Sequence, residues 1–247
     1  MNTKLHRKWS LVDLGLMDYQ KAWDLQLALV SGRHAGEIDR DVVLLLEHPA
    51  VFTLGRRGGR EHLLVSEDTL EHAGIPIVQV ERGGKITYHG PGQLVAYPIL
   101  NLANLGIGVA DYVTALEEVM IRTCASWGIA VERNDMNRGI WVGRQKIGSI
   151  GIAVRREISF HGMALNVDPD LDPFCWVEPC GLEGVSMTSM KQELDKPVAM
   201  QKVKASAVKA FSAVFDVQLQ PAELADLQIS GFDNHDAQEQ LTKTPLA

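Results

Sequence analysis

The sequence predicts an α+β fold, a mixed β-sheet flanked by helices, on three observations. Strand-like segments outnumber helical ones and do not alternate strictly with them, which argues against a doubly wound parallel sheet. DVVLLLEHP (41–49) is an almost unbroken apolar run stopped by proline, as a strand buried on both faces would be. Two long amphipathic stretches, 109–127 and 200–215, supply helices to cover the sheet.

The elements follow in order. KWSLVDL (8–14) reads as a strand. Asp18 is a good N-cap for a helix carrying Tyr19, Ala22, Trp23 and Leu27 at helical spacing. After 41–49 come VFTLG and a polar stretch, then the strand IPIVQVE (75–81), a glycine-rich loop, and a strand at 93–100. Val109, Val113, Leu116, Val119, Met120 and Thr123 give the helix at 109–127 one apolar face, with Gly128 as its stop. Short strands are expected at 129–132, 139–142, 146–154 and 158–166. One domain, 1–220, is expected, followed by a polar, flexible tail at 221–247.

Composition bounds the function. Lys and Arg number 24 against 31 Asp and Glu, a net charge of −7 that disfavours nucleic acid as the main ligand. Arg56, Arg57, Arg60, Arg82 and Lys85 nevertheless form a candidate local basic patch. No 18-residue apolar run or signal-peptide pattern occurs, and the three cysteines form no CxxC pair. These features predict a soluble cytoplasmic protein.

RGGKITYHGPGQ (82–93) concentrates four glycines, two cations and a histidine. It lacks the P-loop pattern, because Gln79 and Ile86 stand where glycine and Ser/Thr are required. Its glycines permit close approach of backbone to a ligand, or equally a bulged connection between core strands. His89 is a candidate ligand-binding or acid–base group, or a hydrogen-bonded structural residue. The scattered histidines match no zinc spacing, and no metal is expected. KIGSIG (146–151) is not a GxSxG elbow, and Ser206-Ala-Val-Lys209 matches SxxK only inside an amphipathic helix.

Among the cysteines, Cys124 lies in a helix and Cys175 between two aromatics, and both read as structural. Cys180, in the turn sequence Pro179-Cys180-Gly181, is a candidate nucleophile. Lys146 interrupts an apolar, glycine-spaced strand. It is either a lysine whose proton affinity is lowered, as a base requires, or an edge lysine reaching to water.

RGGKITYHGPGQLVAYP resembles the signature of the octanoyltransferases of lipoate biosynthesis. YQKAW, LLLEHPAVFTLGRRG, GRQKIGSIGI, FHGMALNV and EPCGLEGVSMTSM resemble further blocks of that family, in its order, over residues 10–195. The resemblance implies the catalytic-domain fold of biotin and lipoate protein ligases and a cofactor-independent acyl transfer. An octanoyl group would pass from acyl carrier protein to Cys180, with Lys146 as its partner, and then to a lysine. Acceptors would be the lipoyl domains of 2-oxoacid dehydrogenase E2 subunits and the glycine cleavage H protein. Binding segments carried over are Arg82, Gly83, Gly84, Lys85, Ile86, Thr87, Tyr88 and His89; Ser149, Ile150 and Gly151; and Gly162, Met163 and Ala164. A monomer with no cofactor and no membrane or nucleic-acid partner is expected. The alternatives are an ATP-using lipoate ligase, which needs no cysteine, and a non-catalytic acyl-binding module.

Overall fold

The computed structural model describes residues 7–134, 137–178, 185–227 and 229. The chain runs β1 (Arg7–Leu16), α1 (Tyr19–Ala35), β2 (Val42–Glu47), β3 (Val51–Leu54), α2 (Glu67–Ala73), β4 (Ile77–Gln79), β5 (Ile86–His89) and β6 (Gln93–Ile99). There follow α3 (Leu102–Leu105), α4 (Val109–Ala125), β7 (Glu132–Arg133), β8 (Gly139–Val142), β9 (Gln145–Arg155) and β10 (Ile158–Asn166). The last elements are β11 (Ser186–Met187), α5 (Met190–Leu194), α6 (Met200–Phe215) and β12 (Val217–Pro221).

The larger sheet has the order β12-β1-β2-β6-β10-β9-β8-β7, with β11 added beside β9. β1 lies parallel to both β2 and β12, β11 is parallel to β9, and the remaining neighbours are antiparallel. A mixed sheet is therefore confirmed. β3, β4 and β5 form a second, three-stranded sheet.

β2 shows why the larger sheet needs cover on both sides. Val43 and Leu45 enter the core beneath α4 and α6, while Val42, Leu44 and Leu46 enter the one beneath α1. This is the period of two of an extended chain, and each such side chain contributes roughly 1.5–3 kcal/mol on burial. Asp18 caps α1 through the Lys21 N–H at 3.1 Å, as its position suggested.

The buried face of α4 is rotated from the expected one. Tyr112, Leu116, Val119, Met120 and Thr123 are inside, whereas Val109 is 51% exposed and Val113 half-buried. A helical stripe read from aliphatic residues alone misses Tyr112, the large side chain that centres it. The expected boundary at residue 220 is crossed by packing: Leu224, Leu227 and Ile229 are buried against the α1 core. No helix among the described residues is long and apolar enough to cross a membrane.

The glycine-rich stretch is not loop throughout. Ile86–His89 pairs antiparallel with β3, placing Val51 opposite His89 and Leu54 opposite Ile86. The main-chain N–H groups of Gly55, Arg56 and Arg57 donate to the carbonyls of Lys85, Arg82 and Gly84, fastening the segment before β5. Gly84 takes φ +89°, a conformation that favours glycine.

Candidate active site

β9 and β10 face the 82–89 segment across a cleft. Of the carried-over binding residues it is lined by Arg82, Gly83, Gly84, Lys85, Ile86, Thr87, His89, Ser149, Ile150, Gly151, Gly162, Met163 and Ala164, and by Lys146. Strand pairing explains the convergence, since β9 and β10 set Gly151 opposite Gly162, Ile150 opposite Met163 and Ser149 opposite Ala164. Gly83 N–H then donates to the Ile152 carbonyl at 2.8 Å, holding the segment over β9. Tyr88 does not line the cleft. Its ring packs with Phe52 and Phe174 in the core of the small sheet, because neighbouring strand residues face opposite ways.

Two glycines differ in what they permit. A Cβ on Gly151 would lie 2.8 Å from Arg82 Cδ, so its absence lets the wall approach. A Cβ on Gly162 would lie 2.1 Å from the Ala96 carbonyl oxygen, so that glycine serves the packing of β10 on β6.

Arg82 is 7% exposed and belongs to the cleft wall rather than its mouth. Its Nη2 donates to the Thr53 carbonyl at 2.6 Å and hydroxyl at 2.8 Å, and Nη1 donates to the Gly83 carbonyl at 3.0 Å. Burying a guanidinium is tolerable because so many of its donors are satisfied. Arg60 pairs with Glu67. Arg56 and Arg57 remain exposed beside the cleft segment, and Lys85 is half-buried.

A cluster of rings closes another side. His89 stacks on Tyr19 at 5.9 Å between centroids and meets His48 edge-on at 5.7 Å. Burial pushes His48 down to about 4 and His89 to about 3, so neither imidazole is charged near neutral pH. Burial likewise pushes the Tyr19 hydroxyl up to about 12. His161 is buried, takes φ +54°, and among the described residues neither ring nitrogen has a hydrogen-bond partner; its Nε2 lies 3.9 Å from Glu81 Oε2. Desolvation, opposed by Glu81, holds it below the ordinary histidine range.

Lys146 is 3% exposed, not an edge lysine reaching to water. Its Nζ donates to Asn137 Oδ1 at 2.5 Å and to the Arg138 carbonyl at 2.8 Å, and sits 5.3 Å from the Trp141 ring centroid. The turn bearing those acceptors is itself anchored. Glu117, fully buried on α4, accepts from Gly139 N–H at 3.0 Å and pairs with Arg133 and Arg138 at 3.3 and 3.4 Å.

Cys180 lies outside the described residues. The chain approaching it is fixed where Glu178 N–H donates to the His62 carbonyl at 2.9 Å. The chain leaving it is fixed where β11 sets Met187 opposite Lys146 and Thr188 N–H donates to the Lys146 carbonyl at 3.0 Å. Cys124 is buried, its thiol pushed up to about 12 by desolvation, as a structural cysteine's would be. Cys175, which read as structural from its place between two aromatics, is exposed. Phe174 goes inward from the short 3₁₀-helix at Asp172–Trp176 and the thiol outward.

Tyr19, Val95, Tyr97 and His161 also line the cleft, and residue-level reasoning did not single them out for it. Tyr19 and Tyr97 looked like ordinary packing positions. The only signal for His161 was its place in the FHGMALNV block.

A family model described as the lipoyl protein ligase A/B catalytic domain matches residues 18–212, which include the cleft, Lys146 and Cys180. The chain belongs to that family. Octanoyltransferase of Desulfotalea psychrophila is 50% identical over 207 residues, covering 83% of this chain and 93% of its own. Octanoyltransferase of Syntrophobacter fumaroxidans is 47% identical over 222 residues, covering 90% and 97%. Among solved structures, lipoate-protein ligase A bound with ATP superposes with a TM-score of 0.73 over 96% of this chain and 95% of that one. At 17% identity it shows the shared ligase-like fold. The resemblance read from the sequence blocks is borne out, and with it the class of enzyme, an acyltransferase.

Proposed function

We propose that the protein takes an octanoyl group from the thioester of acyl carrier protein onto Cys180. It then passes the group to a lysine amine on a lipoyl domain, of an E2 subunit or of the glycine cleavage H protein. The observation that carries this reading is the register of β11, which returns the chain to Lys146 seven residues after Cys180, at one end of the cleft. A nucleophile, a buried amine and a narrow apolar cavity are what a two-step acyl transfer requires. The octanoyltransferase relatives supply the chain length of the acyl group.

The cleft would hold the tail. Each buried CH₂ contributes about 0.8 kcal/mol, so an enclosed octanoyl chain supplies up to roughly 5 kcal/mol. In the first step the Cys180 sulfur attacks the thioester carbon, the bond to the carrier's sulfur breaks, and that sulfur takes a proton. In the second, the lysine nitrogen attacks and the bond to Cys180 breaks.

Magnitudes decide what Lys146 does. Lowering a thiol pKa from about 8.5 to about 6.5 raises its thiolate fraction roughly 25-fold at neutral pH. Weaker nucleophilicity returns about tenfold of that if a Brønsted slope of roughly 0.4–0.5 applies. A positioned acid or base contributes on the order of 10²–10⁴. Lys146 therefore chiefly moves protons, to the departing carrier thiol and from the incoming amine.

The rival reading is an ATP-using ligase, favoured only by the shared fold. Octanoyl transfer from carrier protein to a lipoyl domain without ATP supports the transferase; transfer only with ATP and free octanoate overturns it. The same assay probes docking. Arg56 and Arg57, exposed beside the cleft, suit an acidic carrier. Reversing both to Glu should raise the KM for the carrier in a salt-dependent way, and an unchanged KM would remove them from the docking face.

A further inference from the structure

A buried chain of polar groups fixes which nitrogen of His89 carries the proton. The Thr188 carbonyl can only accept, so the Asn166 atom 3.0 Å from it is the amide nitrogen Nδ2. Asn166 Oδ1 is then left to accept from Gln93 Nε2 at 3.0 Å. Gln93 Nε2 also lies 3.4 Å from the Tyr88 carbonyl, a second group that only accepts. Gln93 Oε1 must therefore face His89 Nδ1, 2.7 Å away, as an acceptor. Nδ1 carries the proton and Nε2 the lone pair. His48 is fixed in the same tautomer, Nδ1 donating to the Met17 carbonyl and Nε2 accepting from the Tyr97 hydroxyl, each at 2.8 Å. At His89, by contrast, no described residue bonds to Nε2.

The same chain sets where this lone pair sits. β6 and β10 pair Gln93 with Asn166, and Thr188 N–H donates to the Lys146 carbonyl. His89 is thus tied to the Lys146 end of the cleft. His161 pairs with Ile152, six residues further along β9. The titratable groups around His89 are Tyr19, stacked on it from α1, His48 edge-on, Arg82 and His161. Burial first, then His48, Arg82 and His161, disfavour a second proton on the ring.

Resting on the transfer reading above, we infer that His89 accepts, through Nε2, a hydrogen bond from the amino group of the incoming lysine. A thioester offers no N–H, whereas an ammonium is a strong donor with three protons. In that step the nitrogen bonds to the acyl carbon, the carbon–sulfur bond to Cys180 breaks, and two protons leave the nitrogen. One ends on the Cys180 thiol by way of Lys146 and the other in solvent; His89 orients the amine without being protonated. An imidazole in this tautomer has no N–H to offer the cleft, so it does not hold the oxyanion.

The two half-reactions separate the roles. In His89→Ala, transfer to the lipoyl domain should slow roughly 10- to 150-fold more than loading of Cys180 from octanoyl carrier protein does. A second variant reads the tautomer. In Gln93→Glu a carboxylate on Nδ1–H should let the ring charge nearer neutral pH, so transfer should fall off on the acid side at a higher pH than in the wild type. Equal slowing of both half-reactions, or a Gln93→Glu pH profile matching the wild type's, overturns the assignment. Unmodified enzyme that forms no adduct overturns the thioester reading, and this assignment with it. An adduct with unslowed transfer in His89→Ala overturns the assignment alone.

Discussion

Lys146→Ala should lower octanoyl transfer on the order of 10²–10⁴-fold while leaving the chain folded. The buried amine is held by Asn137 Oδ1 and the Arg138 carbonyl at the place where β11 brings the chain back from Cys180. Removing it leaves those two acceptors unmatched, at a cost of about 1–3 kcal/mol each, against roughly 5–15 kcal/mol for a whole domain. Activity should therefore collapse before the fold does, and a melting curve beside single-turnover rates would show it. Lys146→Arg sharpens the point. A guanidinium keeps the charge but does not release a proton near neutral pH, so it should be nearly as inactive as alanine. An active arginine variant would mean the charge alone matters.

Gly151→Leu should close the cleft to octanoyl while sparing shorter acyl groups. A Cβ there already lies 2.8 Å from Arg82 Cδ, and Thr53 and Gly83 pin the Arg82 head, so the wall does not yield. The added side chain must occupy cleft space. Displacing four methylene-sized groups costs about 3 kcal/mol, on the order of 200-fold in kcat/KM for octanoyl substrates. Rates across a series from butanoyl to decanoyl carrier protein would show the preference shifting to short chains. A uniform loss across the series would place Gly151 outside the acyl path. Gly162→Leu offers the contrast, since its clash is with the Ala96 backbone and should lower stability instead.

These predictions rest on features of unequal visibility in the sequence. β2 was legible as an unbroken apolar run stopped by proline, and α4 and α6 as long apolar stripes of helical spacing. β3 and β5 were not. Each is four residues long, and β5 sits among glycines that mark a turn in isolation but here only allow close approach of strands. The segments carried over by family resemblance converge because β9 and β10 pair around Gly151 and Gly162, a register no local pattern fixes. Arg82 was expected in a surface basic patch; acceptors on Thr53, from a different strand, and on Gly83 help make its burial tolerable. Tyr88 shared the signature yet faces the small-sheet core, which alternation along β5 explains once β5 is known to be a strand. The tautomer of His89 depends on Gln93, Asn166 and Thr188 acting in series, and so required coordinates.

The central claim is an acyl thioester on Cys180, and intact mass after mixing with octanoyl carrier protein tests it most directly. The account predicts one octanoyl adduct on the unmodified chain, discharged by a lipoyl domain and absent in Cys180→Ser. It also predicts that the exposed thiol of Cys175 is not the site, so Cys175→Ser keeps the adduct. An adduct that survives Cys180→Ser, or none on the unmodified chain while octanoyl transfer proceeds, would contradict it.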